Sequence, residues 1–361
     1  LILAPVPPIR GGIAKHTEEL VAHLSGHYKC TVLADSRLYP RALYPGKSQL
    51  HEETSSLDPE DINVVSSRFR HLLWRLVVQK RENLAGIILV WWTPALAHKF
   101  ALAAIVARVK KIQVVAFCHN VAPHENTRLS SAITRWSLRI AKKFMVQTES
   151  DAALLSSALG SKATIRTVPH PPYKALVSGS KRNALPTPQT FLFFGIIRPY
   201  KGVSTLLEAV DLCGTEEFSV RIVGESWDSG LTKQIRASEK RHAGKVSARL
   251  DFVSDAALTE EIAKADFVVI PYLSASGSGV LALAKAHKKP VIISDLTEFE
   301  NQVVDEVDGY FFRTGSARSL AAMITRATAN HGVLPMEPWK NLQTEPSWDD
   351  LANEIKGLLE D

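Results

Sequence analysis

The chain has 361 residues, of which 45% are hydrophobic and 22% charged, a composition that suits globular folding and excludes a disordered or fibrous chain. Its length suffices for two domains of ordinary size. The formal net charge is +6, and the longest apolar runs, such as Ala85 to Trp92, are far too short to span a bilayer.

Short apolar runs alternate with helical patterns, which predicts parallel sheets flanked by helices. Leu1–Val6 reads as a strand, Ile13–Leu24 as its helix and Lys29–Ala34 as the next strand. Arg37–Asp61 is polar, with scattered prolines and no clear period, and reads as a loop or a shortened unit. Ile87–Trp92 and Gln113–Cys118 are strands around the Ala-rich helix Ala95–Val109. Arg128–Lys142 is helical, with Leu129, Ile133, Trp136 and Ile140 on one face and Arg135, Arg139 and Lys142 near another. Such a helix can lie on an anionic membrane or simply pack its apolar face into the core, the more common case. Lys143–Val146 and helix Ser150–Leu159 follow.

Prolines at 169, 171, 172, 186 and 188 mark the break between domains. The alternation then restarts: strand Thr190–Phe194, helix Val203–Asp211, strand Phe218–Val223, helix Gly230–Ala243, strand Leu250–Val253, helix Leu258–Ala265, strand Phe267–Ile270, helix Gly279–His287, strand Val291–Ser294. A last helix covers Trp348–Leu359. The expected organisation is a domain at 1–175, a second at 185–340, and a terminal segment at 341–361.

Four segments carry chemistry. Pro7–Ala14 places Gly11 and Gly12 between a strand and a helix, where bare backbone and helix N–H groups suit a ligand; it is equally readable as a tight turn. It lacks the G-x-G-x-x-G spacing of dinucleotide-binding dehydrogenases. His119, in Phe117–Glu125, stands at a strand end, where a neutral imidazole can donate to a sugar hydroxyl or a leaving oxygen. The spacing of His119, His124 and Glu125 matches no common metal site. Phe193–Gly202 is a strand, a turn at Gly195 and two cations, Arg198 and Lys201, at the edge where open sheets bind ligands. Two fixed cations beside a helix N-terminus suit a diphosphate, and two solvated loop cations would read the same way. Ile270–Leu281 brings Ser276, Gly277, Ser278, Gly279 and Val280 to a helix start, a nest of N–H groups for phosphate or an ordinary cap at Ser278. Lys285, Lys288 and Lys289 read as a solvated face or a helix C-terminus.

The charge is uneven: residues 1–180 hold 23 Lys and Arg against 12 Asp and Glu, and residues 181–361 hold 20 against 25. The basic first half suits an anionic membrane, a polyphosphate lipid or a nucleic acid, or serves solubility alone. No aromatic-interleaved basic motif supports nucleic acid. Cys30, Cys118 and Cys213 fit neither a zinc pattern nor a disulfide framework, which points to a reducing cytoplasm. Position 1 is a leucine within an apolar run, so the start reads as internal, and no secretory signal is visible.

In this order and at this separation, the motifs resemble the family 4 glycosyltransferases of the GT-B fold. The resemblance runs over nearly the whole chain: the Gly11-Gly12 loop, His119-Asn120, the Gly195…Arg198…Lys201-Gly202 segment, Val223-Gly224-Glu225, Asp251–Asp255, the Gly-rich helix start, Lys289–Asp295 and a turn at Asp308–Phe312. It implies α/β architecture: two Rossmann-like domains facing across a cleft, with the Trp348 helix crossing back to the first. It implies an N-terminal acceptor domain and a C-terminal nucleotide-sugar donor domain. It implies transfer of a sugar from a nucleotide-sugar donor to a glycan or lipid-linked acceptor, retaining, with no essential metal and no other cofactor. Carried over by position, Arg198 and Lys201 hold the diphosphate, helped by the Gly277–Val280 amides. Gly11 and Gly12 border the donor phosphate and the acceptor, and His119 contacts the sugar. The Val253 backbone meets the base, and Gly195 and Gly224 line the donor site. The implied location is cytoplasmic and peripheral on the inner face of the membrane, through the basic first half, without nucleic acid.

One departure stands out. The family's two glutamates, with seven residues between them, fall at Ala275 and Leu283, and no glutamate occurs between Asp266 and Asp295. Ser276, Ser278 and backbone amides are the available substitutes. This departure motivates a second reading, a nucleotide-sugar-binding or scaffold subunit with weak or no catalysis.

Overall fold

The computed structural model of the protein describes residues 1–35, 48, 50, 62–67, 84–93, 97–121, 134, 136–160, 162–173, 188–214, 217–275, 277–329, 338–340 and 345–361. They form two compact units, one of Leu1–Pro171 with Pro346–Asp361 and one of Pro172–Glu345.

Among the described residues the first unit holds seven strands: β1 (Ile2–Leu3), β2 (Cys30–Asp35), β3 (Ile62–Ser67), β4 (Ile87–Trp91), β5 (Val114–Cys118), β6 (Lys143–Val146) and β7 (Thr164–Thr167). All pair in parallel, in the order β3-β2-β1-β4-β5-β6-β7. A parallel sheet covered on both faces needs unbroken apolar strands, and β4 is buried at every position, Trp91 included. Helices α1 (Gly12–Leu24), α2 (Ala97–Val109) and α3 (Glu149–Leu159) follow β1, β4 and β6. In α1 the buried residues Ala14, His16, Thr17, Leu20, Val21 and Leu24 recur at helical spacing. The last helix among the described residues, α10 (Trp348–Glu360), packs on α1 and β5 through Trp348, Leu351, Ala352, Ile355, Leu358 and Leu359. Ser347 and Asp350 close its N-terminus as a reciprocal capping box.

The second unit repeats the plan. Its strands are β8 (Gln189–Phe194), β9 (Phe218–Val223), β10 (Val246–Arg249), β11 (Phe267–Ile270), β12 (Val291–Ser294) and β13 (Gly309–Phe312). They pair in parallel in the order β10-β9-β8-β11-β12-β13. Between them run a 3-10 turn at Pro199–Lys201, α4 (Val203–Leu212), α5 (Ser229–Arg241), α6 (Asp255–Lys264), α7 (Gly279–Ala286) and α8 (Thr297–Glu300), and α9 (Ala317–Ala329) follows β13. One apolar cluster lies around Phe191, Leu206, Ile222 and Ile324, another around Leu192, Ile270, Leu281 and Phe299. Strand order reverses at β1/β4 in the first sheet and at β8/β11 in the second. Loops at the carboxyl ends of those strands sit where open sheets take ligands.

Several expectations need correction. The strand expected at Leu250–Val253 lies instead at Val246–Arg249. As the sheet's edge, β10 needs only one inward face: Val246 is buried and Ala248 packs on the core, while Ser247 and Arg249 face out. The apolar residues that suggested a strand fall in the loop beyond it. Residues Asp308–Phe312 were expected as a turn, yet Gly309–Phe312 is a strand paired along β12. Gly309 is used for closeness, since a Cβ there would meet the Val291 carbonyl. On the helix expected at Arg128–Lys142, Ser137 and Leu138 are buried while Trp136 is 60% exposed, so the inward face is not the one drawn through Trp136. Much of that segment, and nearly all of Arg37–Asp61, lies outside the described residues.

Gly202, at φ +68°, carries the tightest constraint of the second sheet's edge: a Cβ would collide with the Pro271 carbonyl. Gly202→Ala therefore combines left-handed strain with a backbone clash and should cost roughly 2–4 kcal/mol. Gly12→Ala, whose Cβ meets nothing within 4 Å, should be nearly neutral. Urea unfolding of both variants checks the contrast.

Candidate functional sites

In the second unit the site is built from loops that follow β8, β9 and β11. Ile197, fully buried, anchors the first loop: its N–H donates to the Glu225 carbonyl at 2.9 Å, and its carbonyl accepts from Trp227 N–H at 3.2 Å. Gly224 lies so close to Gly195 that any side chain there would strike the Gly195 carbonyl. The β8 loop is tied on its other side by Leu273 N–H donating to the Tyr200 carbonyl at 2.7 Å.

This bracing fixes both cations. The Arg198 guanidinium carbon lies 4.4 Å from the centre of the Trp227 ring. Trp227 is itself held by its indole N–H donating to Glu225 Oε2 at 3.1 Å. Such stacking orients a guanidinium while leaving its N–H fork unspent. Lys201 Nζ sits 5.5 Å from the centre of the Tyr272 ring and 3.1 Å from where a Gly195 Cβ would be. Desolvation, then repulsion from Arg198, lowers the Lys201 pKa to about 8. Burial raises the Tyr272 hydroxyl well above its ordinary range, so this phenol stays neutral.

Two helix N-termini share this edge. Gly202 begins α4 with no side-chain cap and no acid in the first turn. Ser278 begins α7, its hydroxyl accepting from Leu281 N–H at 3.1 Å, again with no acid in the first turn. The N-terminal partial charge is thus left uncompensated at both ends. Gly277, at φ +141°, with Gly279 and Val280 brings further N–H groups to the α7 start. Val253 lies in the loop between β10 and α6, partly buried. Ser276 lies outside the described residues, as do His124 and Glu125. Ala275 and Leu283 both pack against the apolar core.

In the first unit His119 follows β5, its N–H bonded to the Trp91 carbonyl at 2.8 Å. The ring is buried beside Phe117, at 4.9 Å between centroids, and His16, at 4.5 Å. Its Nδ1 lies 3.2 Å from Gln147 Oε1, and Gln147 Nε2 lies 3.1 Å from His16 Nε2. His170 and Trp348 complete the cluster, with centroids 5.0 Å and 4.9 Å from His16. Burial, with repulsion from His170, lowers the His119 pKa to about 3, and burial holds His16 well below the ordinary histidine range. Both rings are therefore neutral at pH 7. Gly11 and Gly12 form the exposed start of α1, which has no side-chain cap and no first-turn acid.

Within the second unit the structure brings Gly195, Arg198, Lys201, Gly224 and the Gly277–Val280 turn to one sheet edge. Trp227, Gln147, His16 and His170 were not singled out from sequence, and Glu225 and Tyr272, within the quoted motifs, were given no role. Most follow parallel strands closely, which was the available signal. Lys285 is not on a solvated face: it is 2% exposed and paired with Glu345 at 2.5 Å. Lys289 does serve a helix C-terminus, donating to the Ala263 and Ala265 carbonyls at 2.9 and 2.7 Å. Among the described residues there is no group of three His, Cys, Asp or Glu placed to hold a metal, and no helix is long and apolar enough to cross a membrane.

Residues 188–330 match the family Glycosyl transferases group 1. A relative from Xanthomonas campestris pv. campestris, GDP-mannose:glycolipid 4-beta-D-mannosyltransferase, is 28% identical over 203 residues, covering 54% of this chain and 53% of that protein. The chain thus spans about half the length of the curated relatives it matches. Sucrose-phosphate synthase from Thermosynechococcus elongatus shares the fold, with a TM-score of 0.72 at 16% identity over 99% of this chain and 98% of that one. Anabaena HepE in complex with UDP-glucose does so with a TM-score of 0.73 at 14% identity over 99% and 98%. The family match bears out the expected resemblance over residues 188–330, and the structural neighbours bear out the expected GT-B fold.

The lowered Lys201 pKa sets two opposite pH trends. An anion held by the ammonium needs its proton, so affinity for a nucleoside diphosphate should fall as pH rises past about 8. Between pH 8 and the ordinary lysine range the unfolded chain keeps a proton that the folded chain has released, so stability should rise with pH there. Lys201→Met should weaken UDP or GDP binding, flatten its pH dependence and raise the melting temperature; calorimetry and thermal melts from pH 6 to pH 10 check this.

Proposed function

We propose that this chain is a glycosyltransferase that moves a sugar from a nucleotide-sugar donor to a glycan or lipid-linked acceptor, in surface polysaccharide or glycolipid synthesis. The observation that carries the reading is the braced pair Arg198 and Lys201 beside two uncompensated helix N-termini. Mobile surface cations would not need a tryptophan platform, a desolvated ammonium and three loops tied together. The relative named for GDP-mannose and a glycolipid, and the neighbour bound to UDP-glucose, support a nucleotide-sugar donor.

In this reading Arg198, Lys201 and the Gly277–Val280 amides hold the diphosphate. Gly195 and Gly224 keep side chains away from it, Ser278 keeps the α7 start in place, and the Val253 backbone meets the base. Gly11 and Gly12 border phosphate and acceptor, and His119 contacts the sugar. The bond from anomeric carbon to phosphate oxygen breaks, and its electron pair stays on that oxygen, where both cations stabilise it. The acceptor hydroxyl attacks the same face, and the departing phosphate oxygen takes its proton. Configuration is retained, and the two side-chain cations do the charge work a metal would otherwise do. The basic first unit touches an anionic membrane: Ile105, Val109 and Trp136 are exposed, as are Arg108, beside Val109, and Arg139, three residues after Trp136.

A second reading, nucleotide-sugar binding without transfer, is favoured by Ala275 and Leu283, apolar and packed on the core where the resemblance expects carboxylates. It predicts donor binding and no glycosylated product.

Titration calorimetry with UDP, GDP, dTDP and their sugars should show selective binding by the wild type. Arg198→Ala/Lys201→Ala should weaken it by about a hundredfold, as loss of two charge-assisted contacts implies; unchanged affinity would refute the site. The anomeric configuration of the product, read by NMR with a chelator present, should match that of the donor. Inversion, or loss of turnover on chelation, would overturn that mechanism. Co-sedimentation with vesicles rich in anionic lipid should fall on Trp136→Ser.

A further inference from the structure

We infer that Gln147 and His16 are positioning residues that fix the tautomer of His119, so that His119 Nε2 presents a lone pair and accepts a hydrogen bond from a hydroxyl of the bound sugar. The inference rests on the donor reading above for the identity of the ligand, but its geometric part stands without it.

The chain of contacts has one direction. Gln147 is 4% exposed, at the carboxyl end of β6. Its amide oxygen faces His119 Nδ1 at 3.2 Å, and its amino group faces His16 Nε2 at 3.1 Å. An amide oxygen only accepts, so Nδ1 of His119 carries the proton; an amino group only donates, so Nε2 of His16 is bare. A neutral imidazole has one proton, which leaves His119 Nε2 as an acceptor. His119 is 9% exposed, and its Nε2 is buried without a hydrogen-bond partner. An unsatisfied buried acceptor destabilises the site, and a ligand hydroxyl would relieve that cost. His16 is held in turn by the edge-to-face ring of Trp348 on α10, so the terminal helix supports the relay. This reverses the role expected of His119 from sequence: it receives a hydrogen bond from the ligand and does not donate one to a leaving oxygen.

The test is nitrogen NMR of the full chain labelled with 15N-histidine, with His119 assigned by difference from His119→Gln. The expected spectrum shows His119 protonated at Nδ1 and bare at Nε2. Gln147→Leu should release that preference and populate the Nε2-protonated form. Gln147→Glu, which keeps an oxygen facing Nδ1, should preserve it and guards against a folding defect. Calorimetry then compares GDP with GDP-mannose and UDP with UDP-glucose. Gln147→Leu should weaken the sugar nucleotide about tenfold more than the bare diphosphate, the loss of one hydrogen bond. His119 protonated at Nε2 in the wild type, or equal weakening of both ligands, would overturn the inference. A wild type that binds no nucleotide would refute the donor reading instead, while the spectrum still decides the tautomer.

Discussion

The second unit depends on backbone meeting backbone at one sheet edge. Gly202 lies against the Pro271 carbonyl and Gly224 against Gly195, with no room for a Cβ at either position. That closeness draws together the loops after β8, β9 and β11, and buries Ile197 as their common anchor. Arg198 and Lys201 follow the anchor in sequence, so neither can swing freely into water. Their fixed positions rest on this glycine packing together with the Trp227 and Tyr272 rings they lie against, and burial there lowers the Lys201 pKa. A site prepared in this way resists reorganisation when negative charge arrives, which is where electrostatic stabilisation gains most.

The two units share a plan but use it differently. Both reverse strand order near the middle of a parallel sheet and gather polar groups at the carboxyl edge. The second unit offers positive charge: two cations and two helix N-termini without carboxylates. The first offers a buried neutral network, His119, Gln147 and His16, enclosed by Phe117 and Trp348. Charge suits a phosphate, and a neutral directional network suits hydroxyls.

Much of the fold was legible where strands are buried on both faces. Ile87–Trp91, Phe267–Ile270 and Val291–Ser294 are apolar runs buried at every position. Edges were not legible, for the same physical reason. Thr164–Thr167 only half-buries alternate residues, Val246–Arg249 buries Val246 alone, and Gly309–Phe312 begins with a glycine that reads as a turn. The Arg198 and Lys201 loop could be read because glycine, cations and a following helix are contiguous. The His119 relay could not, because Gln147 and His16 stand 131 residues apart and carry no motif. Only folding shows that they meet.

The measurement that bears most directly on the central claim is a crystal structure of the full chain with a nucleotide sugar bound. The account predicts the diphosphate within hydrogen-bond distance of the Arg198 guanidinium, Lys201 Nζ and the first N–H groups of α7. A diphosphate held elsewhere, with Arg198 still stacked on Trp227 and Lys201 still against Gly195 but touching no ligand atom, would contradict it.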